Sequence, residues 1–308
     1  MRALVTGGAG FIGSNLVKLL IESGNDVVVL DNYSSGYREN LALLPSARLV
    51  DGDVRDDGAV DKAIAGCEVV FHLAASVGNT RSIEHPIQDS EINVLGTLRV
   101  LEAARHHGLR KVVFSSSAGI FGELKTVPIR EDHPAEPDTP YGASKLGAEK
   151  LCLAYAKLYP LECICLRYFN VYGVHQRYDA YGNVIPIFAH RALRGEPMVI
   201  HGDGEQTRDF INVRDVAMAN YRAGRSQGVS GAFNVASGTR VTINRLASML
   251  AEAGGLELAV QHGAPRPGDV RHSLADVSAA RAAFGFEPSV TLEEGLPEYM
   301  RWAREAMV

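Results

Sequence analysis

The chain has 308 residues, 46% of them hydrophobic and 22% charged, the make-up of a soluble globular protein long enough for one or two domains with a proper core. Its formal charge of −5 argues against a basic face, and so against nucleic acid and anionic membranes as partners. Four cysteines are too few for a disulfide framework at this length, and no apolar run approaches the about 20 residues that span a bilayer.

The first strand, Ala3–Val5, runs straight into a glycine turn, which is not the pattern of a secretion signal; the expected compartment is the cytoplasm. That turn, Thr6-Gly7-Gly8-Ala9-Gly10-Phe11-Ile12-Gly13, opens a helix over Gly13–Ser23. It contains G-x-G-x-x-G from Gly8 to Gly13, and glycines also recur at 7, 10 and 13. Glycine there permits a tight turn, close approach of a pyrophosphate to backbone, and tight packing of helix on strand. The second strand, Asp26–Leu30, ends at Asp31, 18 residues past Gly13 and close to the about 20 expected of a carboxylate that binds the adenosine ribose. A carboxylate there repels the extra phosphate of NADP, which points to NAD. Asn32-Tyr33-Ser34 matches a glycosylation sequon, an accident in a chain without a secretion signal.

Further strands are expected at Arg48–Val50, Val69–Leu73, Lys111–Ser115 and Leu161–Arg167, with helices at Ser90–His107 and Ser144–Tyr159. Strands without polar alternation, separated by helices, indicate a parallel sheet covered on both faces. The Lys111–Ser115 strand leads into Ser115-Ser116-Ser117, at the carboxyl end where doubly wound sheets bind ligands. Tyr141 and Lys145 form Tyr-x-x-x-Lys, which on a helix shares one face. A tyrosine is a poor base at its ordinary pKa of about 10, and a cation beneath it favours the phenolate. Cys163 and Cys165 lie two apart on an apolar strand and read as core packing, so no metal site is expected. On the helix before them, Leu146/Leu153 and Leu151/Leu158 repeat at seven residues on different sides. One stripe facing the sheet and the other a partner predicts a homodimer through Ser90–His107 and Ser144–Tyr159.

Regular alternation stops near Asn170. Beyond it come Gly- and Pro-punctuated pieces, a strand at Ala232–Ala236, and helices at Asn244–Ala253 and Leu292–Arg304. The expected fold is α/β, a doubly wound parallel sheet of the Rossmann kind with a smaller C-terminal substrate-binding region. Two arginines stand out there, Arg208 before Asp209-Phe210 and Arg266 before Pro267-Gly268-Asp269. The planar fork of arginine suits a diphosphate.

The glycine turn, the serine run, Tyr141/Lys145 and Arg167-Tyr168-Phe169-Asn170 together resemble the extended short-chain dehydrogenases acting on nucleotide sugars, from residue 1 to about residue 290. Within that group the chain is similar to the UDP-hexose 4-epimerases. The resemblance implies Tyr141 as base, Lys145 on the nicotinamide ribose and Ser117 as third catalytic residue. It implies NAD contacts at Gly7, Gly10, Phe11, Ile12, Gly13, Asp31, Asn32, Ser35, Asp53, Val54, Leu73, Ala74, Ala75, Asn93, Ser115, Tyr141, Lys145 and Tyr168. A UDP-sugar would meet Ser117, Tyr141, Asn170, Asn183, Val184, Val199, His201, Arg208, Arg266, Asp269 and Ser273. Residues 1–170, with 211–236 returning to them, would hold NAD; 171–210 and 237–308 would hold the nucleotide sugar.

In the similar sugar 4,6-dehydratases Asp-Glu follows the catalytic hydroxyl, and the decarboxylases carry Glu there. This chain has Ala118-Gly119, which disfavours both reactions, and Phe121 where relatives usually have tyrosine. The reading is therefore a 4-epimerase of UDP-glucose and UDP-galactose, extending to the N-acetylated hexoses because the resemblance places Ser273, seven residues after Arg266, at the wall beside C2, where a serine leaves space. Alternatives are a UDP-glucuronate 4-epimerase, a dehydratase, a decarboxylase, or a non-catalytic NAD-sensing module. The last would not need Ser117, Tyr141 and Lys145 together.

Overall fold

A computed structural model describes residues 1–179, 182–265 and 270–306. Six strands arise from the first half: β1 (Arg2–Thr6), β2 (Asp26–Asp31), β3 (Arg48–Asp51), β4 (Val69–His72), β5 (Lys111–Ser117) and β6 (Glu162–Tyr168). Each matches an expected strand to within a residue or two. They join one parallel seven-stranded sheet, completed at its edge by Gly231–Val235 beside β6. The order, from that edge, is Gly231–Val235, β6, β5, β4, β1, β2, β3.

Period-two alternation divides the core. Val27 and Val29 on β2, and Ile164 and Leu166 on β6, enter one apolar cluster. Val28 and Leu30, with Cys163 and Cys165, enter the other on the opposite face. The C-x-C pair is thus core packing. All four cysteines are buried thiols, and no group of three metal-binding side chains gathers among the described residues.

Helices cover both faces. In chain order they are α1 (Phe11–Glu22), α2 (Asp57–Ile64), α3 (Asn79–Glu84), α4 (Pro86–Ser90), α5 (Thr97–His106) and α6 (Pro140–Leu158). A π-helical stretch, Glu91–Gly96, joins α4 to α5. The helix carrying Tyr141 begins at Pro140 rather than at Ser144. Thr139 caps it, its hydroxyl accepting from Gly142 N at 3.2 Å, and Pro140 fills the first turn, where no N–H is needed.

Past β6 the chain leaves the sheet through β7 (Val171–Tyr172), α7 (Val184–Leu193), β8 (Met198–His201), β9 (Thr207–Arg208) and β10 (Ile211–Asn212). It returns through α8 (Val213–Arg225), whose Gly224 lies so close to Phe71 of β4 that a Cβ would stand 2.4 Å from the ring. The strand Gly231–Val235, here β11, follows. β12 (Val241–Thr242), α9 (Ile243–Gly254), β13 (Val260–Gly263), α10 (Ser278–Phe284) and α11 (Leu292–Ala306) complete the chain. α7, α9 and α11 enclose a separate apolar cluster with β8, including Phe188, Leu246, Leu250 and Tyr299. No helix among the described residues is long and apolar enough to cross a membrane.

Candidate active site

The candidate residues gather at the carboxyl ends of the strands, where the sheet order diverges from β1 towards β2 and β4. Gly7 follows β1 with φ +69°, and a Cβ there would meet Ala74 N at 2.7 Å. At Gly13, within α1, a Cβ would stand 2.1 Å from the Gly7 carbonyl oxygen. Only glycines fit this crossing of backbones. Gly10 caps α1 without a side-chain hydrogen bond, and Phe11 and Ile12 open the helix, leaving its positive end to an anion.

Asp31 ends β2, its carboxylate accepting from Ala9 N and Tyr33 N, both at 2.8 Å. Burial pushes its pKa above the ordinary carboxylate value, against those two amides. Asn32 donates to Asp53 at 2.7 Å, joining the loops after β2 and β3. Hydrogen bonds from Arg55, first among several causes, hold the Asp53 carboxyl at about 2. Ser35 is exposed beyond them, Val54 is buried, and Leu73, Ala74 and Ala75 follow β4 half-buried. A helix end that donates to phosphate, a carboxylate that accepts from ribose hydroxyls and a glycine crossing that lets the backbone approach are what a dinucleotide site requires.

Ser117 ends β5, its hydroxyl accepting from Gly119 N at 3.1 Å. A Cβ on Gly119 would lie 3.4 Å from the Ser117 Oγ and 3.6 Å from the Tyr141 ring, so hydroxyl and phenol border one small space. Burial raises the Tyr141 pKa; a hydrogen bond with Ser117 opposes this and the charge of Asp89 adds to it. Lys145 is buried in the same helix, one turn after Tyr141. Lys145 Nζ lies 3.5 Å from the Ser115 hydroxyl and 4.7 Å from the Phe114 ring centroid. Burial holds that ammonium at about 8, with Asp89 opposing the fall.

Asn93 is buried in the π-helical stretch, exchanging hydrogen bonds with both backbone groups of Ser76 and donating to Asp89 and Ser144. Tyr168 ends β6 with its hydroxyl on Asn220, and burial raises its pKa. Asn170 donates to the Asp209 carbonyl at 2.8 Å, which ties the end of β6 to the segment carrying Arg208. The Asp209 carboxylate accepts from Ser237, Gly238 and Ala275, so three chain segments converge behind Arg208. Ser273 lies buried beside them, its N–H on the Thr207 carbonyl at 3.1 Å. Val199 and His201 lie on β8, paired with β13, and Asn183 and Val184 begin α7. Arg266 and Asp269 lie outside the described residues.

Two buried networks behind these residues were not legible as motifs. Thr6, His72 and Thr97 form a chain from the glycine turn to Asn93: Ala74 N donates to Thr6, Thr6 pairs with His72 Nδ1 at 2.7 Å, and His72 Nε2 meets Thr97 at 3.0 Å. Thr97 then donates to the Asn93 carbonyl. Burial, then the Lys145 charge, depresses the His72 imidazole to about 3, so it is neutral. Under β5, Glu149 accepts from Ser116 and pairs with Arg167 at 2.7 Å. The one sequence signal for either network is a run of polar residues on elements otherwise apolar.

The description NAD dependent epimerase/dehydratase family matches residues 3–236. A UDP-glucose 4-epimerase of Mycolicibacterium smegmatis is 40% identical, over 99% of this chain and 99% of its own. Among solved structures, the UDP-glucose 4-epimerase of Thermotoga maritima with UDP-glucose is 38% identical with a TM-score of 0.93, covering 99% of each chain. The UDP-N-acetylglucosamine 4-epimerase of Methanobrevibacter ruminantium, in complex with UDP-N-acetylmuramic acid, is 37% identical with a TM-score of 0.94, again over 99% of each chain. Glycine crossing, anchored Asp31 and the Ser117–Tyr141 pair thus sit on a fold shared with these enzymes along its whole length, and the chain belongs to the NAD-dependent epimerase/dehydratase family.

Proposed function

We propose that the protein is a UDP-hexose 4-epimerase acting on UDP-glucose and UDP-galactose, and on their N-acetylated counterparts. The observation that carries this reading is the space bordered by Ser117 and Tyr141. Its third wall is Gly119, which has no side chain. Loss of water from the sugar needs a second acid and base, and Ala118-Gly119 supply neither there. Proton exchange at a single oxygen needs only the phenol.

Bound NAD supplies a reversible hydride acceptor. The glycine turn, the start of α1 and Asp31 hold it, with Lys145 and Asn93 towards its nicotinamide end. Tyr141 takes the proton of the sugar 4-hydroxyl, and Ser117 orients that oxygen. Arg208 holds the diphosphate. With binding energy concentrated on the nucleotide, the sugar would be free to turn over between loss of its C4 hydrogen, as proton to Tyr141 and hydride to the bound NAD, and their return to the opposite face. The similarity to enzymes named for UDP-glucose and UDP-N-acetylglucosamine supports both substrate classes.

Homodimerisation is part of this reading, through the segments Ser90–His107 and Ser144–Tyr159. Leu146 packs near Ile120, and Leu151 and Leu153 pack on the sheet core, so only Leu158 of the four is exposed. Ile83, Ile87 and Leu95, on α3, α4 and the π-helical stretch, are further exposed apolar side chains on elements beside α6.

Incubation with UDP-glucose, UDP-N-acetylglucosamine and UDP-glucuronate, with products resolved by chromatography, tests the reading. The first two should reach equilibrium with their C4 epimers without added reductant. Release of a 4-keto-6-deoxy sugar or of carbon dioxide would favour a dehydratase or a decarboxylase.

A further inference from the structure

The helix that carries Tyr141 is held to the sheet by a buried ion pair two turns further on. Tyr141, Lys145 and Glu149 recur at four-residue spacing and share one face of α6. Glu149 is 0% exposed, and Arg167 of β6 is 5% exposed. Arg167 holds the carboxylate with two donors, Nη2 to Oε1 at 2.7 Å and Nε to Oε2 at 3.0 Å. Oε2 also accepts from the hydroxyl of Ser116 at 2.7 Å, and Ser116 immediately precedes Ser117 on β5. The remaining arm, Nη1, donates to the Glu131 carbonyl at 2.9 Å. The Glu131 carboxylate in turn accepts from Asn234 N of β11 at 2.9 Å. One ion pair thus joins α6 to β5, to β6 and to the loop after β5.

Stability alone does not account for such a pair. Desolvating two charges offsets most of their attraction, and apolar side chains of the same volume commonly hold a core equally well. What the pair adds is direction, because a forked guanidinium on a carboxylate fixes angle as well as distance. The rest of α6 is held differently. Thr139 and Ser144 tie its start to helices, through Asn79 of α3 and Asp89 of α4. At Gly142 a Cβ would stand 2.4 Å from the Gly119 carbonyl oxygen, a backbone contact that limits approach without fixing tilt. Towards the strand that carries Ser117, the helix makes a long Lys145–Ser115 contact at 3.5 Å and the Glu149–Ser116 bond at 2.7 Å. Glu149 lies about 12 Å along the helix from Tyr141, so a tilt at one end is felt as a displacement at the other.

We propose that Glu149 and Arg167 are positioning residues, whose ion pair sets α6 against β5 so that the Tyr141 hydroxyl meets Ser117 across the space bordered by Gly119. The inference takes Tyr141 and Ser117 as the reacting pair, as in the proposed function, but it does not depend on which sugar nucleotide is turned over.

The test separates holding the fold from placing the phenol. Glu149→Met and Arg167→Met, made together, remove both charges and keep the volume. The double variant should melt at or above the parent temperature and purify with the parent's NAD content. Its kcat for UDP-glucose should nevertheless fall by about 100-fold, with KM within about threefold of the parent. If the double variant does not fold, Ser116→Ala replaces it, breaking the tie to β5 while leaving the ion pair intact; its kcat should fall by about tenfold at unchanged KM. Parent kcat in the folded variant, or a loss confined to KM, would overturn the proposal. Failure of the parent to epimerise UDP-glucose would count against the proposed function, and a crystal structure of the same variant then decides this inference by itself. The Tyr141 hydroxyl should stand at least about 0.5 Å from its parent position relative to Ser117 Oγ, and an unshifted phenol would overturn the proposal.

Discussion

At the scale of single residues, Ser273 and His72 each carry a testable expectation. Ser273 is buried beside Thr207, next to Arg208, and is small. On the proposed function, a tyrosine there would fill the volume an N-acetyl group takes. Ser273→Tyr should cut kcat/KM for UDP-N-acetylglucosamine by about 100-fold while changing UDP-glucose turnover by about threefold at most. Equal loss on both substrates would place the specificity elsewhere. His72 should contribute to the acid response of stability. Its folded value of about 3 lies below the ordinary 6.5, so between those values the unfolded chain binds more protons. Stability should therefore fall as pH drops from 6.5 towards 3, by roughly 1.4 kcal/mol per pH unit from this group. His72→Gln should flatten the dependence of the urea midpoint on pH in that window. Tyr141, Lys145 and Asp31 were legible in the sequence because their motifs are local. Asp89 and His72 were not, because their partners Ser144 and Thr6 stand 55 and 66 residues away.

At the scale of elements, the glycine turn is the piece whose geometry tolerates least change. Because a Cβ on Gly13 would stand 2.1 Å from the Gly7 carbonyl oxygen, Gly13→Ala must push α1 away from β1. The variant should purify with its NAD content reduced by at least about tenfold, read from the absorbance of released nucleotide. Full retention would show that the turn is not the cofactor cradle. The strands were legible because buried parallel strands read as continuous apolar runs, and β2, β4 and β6 do. α6 starts before the expected Ser144 because Thr139-Pro140 supply a cap and first turn, a signal that apolar periodicity does not carry. The π-helical stretch left no periodic signature, yet it places Asn93 opposite Ser144. Of the leucines in the stripes on α6, Leu146, Leu151 and Leu153 are partly buried against neighbouring clusters and Leu158 is exposed.

For the whole molecule, the exposed apolar groups and the reaction itself are open to tests in solution. Ile87 is 76% exposed and Ile83 62%, on short helices beside α6. The protein should scatter light as a dimer, and Ile87→Glu should weaken that dimer by at least about tenfold in dissociation constant. A monomeric parent at micromolar concentration would rule the dimer out. The division of the chain into a sheet and a smaller region was legible up to Asn170. Beyond it short strands such as β9 and β12 have only two residues each, too few for a pattern. The central claim is that a hydride leaves C4 and returns to C4 with inverted configuration. UDP-glucose deuterated at C4, incubated with the protein in ordinary water, measures this directly. The account predicts UDP-galactose with the deuterium still at C4, and no such product from the Tyr141→Phe variant. Deuterium transferred to C6 of a dehydrated sugar, or lost to the solvent, would contradict it.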